Sequence, residues 1–98
     1  MTNTLKGTLT RARDDAEEAA RYLAHTRNEL AILLEQAAGR EHTRAKIKEL
    51  LAHVIAAGIK AEQVTGHTQT AAEWLGDTIE PARLYFSRDI ARKAGVAS

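Results

Sequence analysis

Histidines and carboxylates are the residues of this chain whose spacing could hold a metal or move a proton. The four histidines, His25, His42, His53 and His67, are scattered along it. Glu49 and His53 stand four apart and share a helix face. No further ligand joins them at helical spacing, so the pair reads as a surface pair and no metal site is expected. There is no cysteine, hence no disulfide and no thiolate ligand. Asp14, Asp15, Glu17 and Glu18 form an acidic patch balanced by Arg11, Arg13 and Arg21, the alternation of a solvated helix face. No nucleophile is set beside a base, and no glycine-rich loop is shaped for phosphate. The expectation is a non-enzymatic protein without a cofactor.

The elements that must position these residues are helical. Ala, Leu, Glu, Arg, Lys and Gln dominate, and all form helices well. Period-2 runs of β-branched residues are missing, so no sheet is expected. Fourteen basic residues against thirteen acidic ones leave a net charge near +1, without the bulk basic excess of a dedicated nucleic-acid binder. A chain of 98 residues makes one small domain whose core a partner or second copy often completes. The first 30 residues lack the apolar run of a Sec signal, and no run is long enough to span a membrane. A cytoplasmic location, or export by a non-Sec route, is the resulting expectation.

Leu5, Leu9, Ala12, Ala16, Ala19, Leu23, Thr26, Leu30, Leu33 and Ala37 alternate steps of four and three. That is a heptad seam through one long helix, over residues 5–38. Gly39 suits the left-handed position that ends a helix, and Thr43 can cap the next. Ile47, Leu50, Val54, Ala57, Ala61, Val64, Thr68, Ala71, Leu75 and Thr78 repeat the pattern over residues 43–79. A second row, Leu51, Gly58, Thr65, Ala72 and Ile79, widens the stripe. Folded at residues 39–42, the two seams meet. Pro81 then opens a short helix over residues 81–94. The expected fold is all-α, a long antiparallel, coiled-coil-like helical hairpin plus a short C-terminal helix, over residues 1–98. Ile32, Leu34, Ile55 and Ile59 fall outside the expected seam and cluster toward its turn end. They are the candidate protein interface, through which the hairpin would pair with a partner or dimerise into a four-helix bundle.

The stretch AAGIKAEQVTGHTQTAAEWL, Ala56–Leu75, also resembles the helix-turn-helix of small repressors. That resemblance implies a turn at Gly66 and a recognition helix from Thr68, with His67, Thr68, Gln69 and Thr70 as candidate DNA contacts. Glu73, Asp77 and the absence of Lys or Arg from that helix oppose phosphate binding, so a DNA-binding regulator is the alternative. Glu62 stands where that family places a small residue.

The hairpin, with Tyr85-Phe86-Ser87-Arg88-Asp89 after its second helix, resembles the small WxG-type substrates and partners of type VII (ESX) secretion. The resemblance implies helical hairpins that pair into four-helix bundles, and an export signal formed by Tyr85 and Asp89. That family sets its Trp-x-Gly in the inter-helix turn, whereas here the turn reads AGREHT and Trp74-Leu75-Gly76 stands toward the far end of the second helix.

Overall fold

A computed structural model describes residues 2–87 of the chain. It holds two helices, α1 (Thr2–Gln36) and α2 (Glu41–Trp74), packed against each other along their length. The body measures 59 × 30 × 15 Å. The all-α hairpin legible in the sequence is the observed architecture, and no strand occurs among the described residues.

α2 passes through Gly58 and Gly66 without interruption, so the stretch from Ala56 is helix and holds no corner. Two interior glycines cost about 1 kcal/mol each relative to Ala. A helix of 34 residues lying on a partner of 35 absorbs that.

The turn comes earlier than expected. Residues 37–40 connect the helices, and Gly39 does take the left-handed conformation, at φ 88°. Thr43 is not the cap of the second helix: it lies inside α2, whose N-cap is Arg40, without a side-chain capping bond. The fastening comes instead from Arg44, whose Nη1 donates to the Leu34 carbonyl at 2.6 Å, satisfying a group the end of α1 leaves open. Glu41 sets a negative charge on the first turn of α2.

α2 also stops five residues short of Ile79. Gly76 adopts φ 78°, its N–H donates to Glu73, and Asp77 N–H donates to Ala72. That Schellman arrangement closes the helix. Ile79 stays buried although it lies past the helix end.

The seam runs one row away from the expected line. Ala16, Leu23, Leu30 and Ala37 of α1 and Ile47, Val54, Ala61 and Thr68 of α2 do face inward. Their partners are not Ala19, Thr26, Leu33, Leu50, Ala57 and Val64, which are exposed. On α1 Ala20, Arg27 and Leu34 take those places, and on α2 the expected second row of Leu51, Gly58, Thr65 and Ala72 does so, all buried or half-buried. A compact apolar cluster of Leu30, Ala37, Ile47 and Val54, with Leu23, Leu34 and Leu51 against it, fills the turn end. Both helices are thus rolled toward the same broad side, where the rest of the chain lies.

That remainder is a strap, residues 77–87. The expected helix over 81–94 does not begin at Pro81: residues 81–86 carry no helix, Ser87 is helical, and 88–94 lie outside the described residues.

Candidate functional site: an anchored strap and an open face

The strap crosses back over both helices and is held at its backbone by side chains. Arg13 Nη1 donates to the Glu80 carbonyl at 2.5 Å, and the Glu17 carboxylate accepts Arg83 N–H at 2.5 Å. Arg27 Nη1 donates to the Tyr85 carbonyl at 2.9 Å. Glu62, only 6% exposed, does most. Its Oε2 accepts the N–H groups of Tyr85 and of Phe86, the latter at 2.8 Å. Its Oε1 accepts Ser87 N–H at 2.9 Å and Ser87 Oγ at 2.7 Å. Three successive N–H groups thus converge on one carboxylate, a nest for an anion that the protein fills itself. Burial pushes the Glu62 carboxyl up; the bonds from Tyr85, Ser87 and Phe86 outweigh it and hold the group below the usual carboxylate range.

Ile79 and Phe86 are the strap's buried apolar side chains, and Phe86 is fully enclosed. Its ring lies on Gly58 so closely that a Cβ there would sit 2.2 Å from a ring carbon. The Arg27 guanidinium stacks over the same ring at 4.8 Å, a cation–π contact. Gly58 therefore makes room for an aromatic ring from the strap. Phe86, Arg13 and Arg27 carried no signal in the sequence, because each works through a partner distant along the chain. Glu62 stood out only as the residue a helix-turn-helix would not place there.

The candidate interface residues do not gather into one surface. Leu34 belongs to the packed turn-end cluster. Ile55 and Ile59 are half-buried on the α2 side that also carries Gly58 and Glu62, where the strap runs. Ile32 is 56% exposed and points away from all of these. Of the candidate DNA contacts, Thr68 is buried with its hydroxyl on the Thr65 carbonyl at 2.7 Å, and Gln69 is half-buried. His67 and Thr70 are exposed, and all four sit inside unbroken helix. Tyr85 is half-buried and lines a cleft of about 480 Å³ with Glu17, Glu18, Arg21 and Arg83; Asp89 lies outside the described residues. Glu49 pairs with Lys46 at 4.0 Å, and His25 with Glu29 at 2.9 Å. Among the described residues no three His, Cys, Asp or Glu come together as a metal site, and no helix is long and apolar enough to cross a membrane.

No protein-family profile, curated protein or solved structure matches the chain.

The side opposite the strap has a different character. Residues one step after the inward row, Glu17 and Glu62, hold the strap from both helices, so those rows share one broad side. By the same antiparallel symmetry, the rows three steps after the inward row share the other. These are Leu5, Ala12, Ala19, Thr26 and Leu33 on α1, and Leu50, Ala57, Val64 and Ala71 on α2. Leu33, Leu50 and Val64 are 46, 51 and 46% exposed. Beside them, Tyr22 and Trp74 are exposed as well.

Proposed function

We propose that this protein acts without catalysis, as a helical hairpin that associates with a protein partner through the broad side its own strap leaves open. The observation that carries the reading is the exposed row of Leu5, Leu33, Leu50 and Val64 at heptad spacing opposite the strap. Monomeric proteins rarely expose a contiguous apolar surface unless something docks there. The buried acid offers no competing chemistry: four donors occupy both oxygens of Glu62, which leaves no free lone pair aimed at a substrate.

A photo-crosslinking residue at Val64, compared in cells with one at Gln63, tests this. Both positions are exposed, but Gln63 faces away from the open side. Discrete products from Val64 and none from Gln63 are expected; equal yields from both would end the reading. Type VII export is a narrower form of the same proposal. The hairpin and the placement of Tyr85 after its second helix support it. Loss of export on replacing Tyr85 or Asp89 is the result it requires.

A further inference from the structure

We infer that the occupant of the open side is a second copy of this chain, paired face to face about a two-fold axis along the hairpin, with α1 of each copy against α2 of the other. The inference rests on the association reading above and adds the partner's identity and orientation.

Charge decides both. The rows that flank the open side lie one residue before the inward row. On α1 that edge carries Asp15, Tyr22 and Glu29, so its ionised groups are acidic. On α2 it carries Lys46, His53, Lys60, His67 and Trp74, with no acid at all. All of these side chains are exposed. A face with one acidic and one basic edge is complementary to itself, but only in one of the two lengthwise two-fold pairings. Turned about the long axis, each acidic edge meets the partner's basic edge and both turns lie at the same end. Turned about the short axis, acid meets acid and base meets base. Like charges brought together at an interface suppress the second arrangement.

Packing is compatible with the favoured pairing. Leu33 and Leu50 lie on the open side toward the turn, and Ala19, Thr26 and Ala57 lie farther along it. With both turns at one end, leucines of the two copies gather there, while small residues toward the middle let the helices approach. Tyr22 and Trp74, 61 and 87% exposed, lie on the edges where aromatic anchors serve interfaces best. Two helices of 35 and 34 residues, each about 50 Å long and about 10 Å apart, present an area comparable to the roughly 800 Å² per partner that stable complexes bury. The result is a four-helix bundle with a strap on each outer side and neighbouring helices antiparallel throughout.

Two edge variants of the full chain test this, D15K/E29K and K46E/K60E, with mass read by sedimentation equilibrium and helicity by circular dichroism. The wild type is expected at twice 10.7 kDa. Each variant should stay helical and lose self-association by about tenfold or more, because both of its edges now meet like charge. Mixed one to one, the two variants should form a heterodimer, and added salt should narrow the differences. Variants that self-associate as tightly as the wild type would overturn the orientation, since a short-axis pairing already sets like against like. A wild type that is monomeric at millimolar concentration would overturn the second copy as occupant. The Val64 crosslink then tells the two readings apart: a product of another mass keeps the association reading and removes only this one, whereas no product removes both.

Discussion

The two broad sides of this hairpin solve the same problem by opposite means. Two amphipathic helices leave apolar surface on both sides of their seam. On one side the chain covers it, with a buried ring on a glycine and a strap fastened by Arg13, Glu17, Arg27 and Glu62. On the other it leaves Leu33, Leu50 and Val64 bare. The closed side is held by directional bonds to backbone groups and tolerates little change. The open side has shape and edge charge, but among the described residues nothing fastens onto it. The difference teaches that exposed apolar rows are here a choice of side, since the same fold shows how such a surface is covered when covering is wanted.

The comparison breaks first at Phe86. Phe86→Ala removes a fully enclosed ring and should cost about 3–5 kcal/mol in urea unfolding, if the strap is part of the folded unit. Unchanged stability would mean that the strap adds nothing. Glu62→Gln comes next, at about 2 kcal/mol, because three N–H groups lose a charged acceptor of the same shape. Its sign with pH is fixed: a carboxyl held below its usual range stabilises the fold above that range. The contribution fades as pH falls through the lower, folded value. The wild type should therefore lose more stability than Glu62→Gln between neutral and acid pH, and parallel curves would refute the anchor.

Gly58 and Gly66 sharpen the contrast within one helix. Gly58→Ala should destabilise by about 1–3 kcal/mol, as the ring must move, despite the better helix propensity. Gly66→Ala meets nothing within 4 Å and should stabilise by about 0.5–1 kcal/mol. Thermal melts of the pair would show opposite signs; equal signs would place the strap elsewhere. The smallest effect belongs to the open side, where Val64→Lys in dilute solution should change monomer stability by no more than about 0.5 kcal/mol.

The hairpin itself was legible because heptad spacing persists for nine turns or so in each half, and no local accident cancels that signal. The inward row at Leu23, Leu30, Ile47 and Val54 followed from it. Of the companion rows, the α2 set of Leu51, Gly58, Thr65 and Ala72 followed as well, whereas the α1 set of Ala20, Arg27 and Leu34 did not. Ala19, Thr26 and Leu33 are more apolar as a set than Ala20, Arg27 and Leu34, so hydropathy alone turns α1 the wrong way. Arg27 and Glu62 go inward because the strap supplies their partners, most of them backbone groups that no residue type announces. The expected second helix runs to Ile79 because Leu75, Thr78 and Ile79 continue the apolar rows past Gly76. Its positive φ makes it the stop. Phe86, beside Tyr85 and past the last heptad row, had no periodicity to mark it.

The convergence of three consecutive amides on a single side chain gives this molecule its own reporter. Those protons feel a full negative charge at hydrogen-bond distance, so their resonances should stand well downfield of the helical crowd. They should exchange with solvent together and shift together on acidification. One spectrum, followed from neutral to acid, would thus read out whether the tail is fastened without labelling, cutting or unfolding anything.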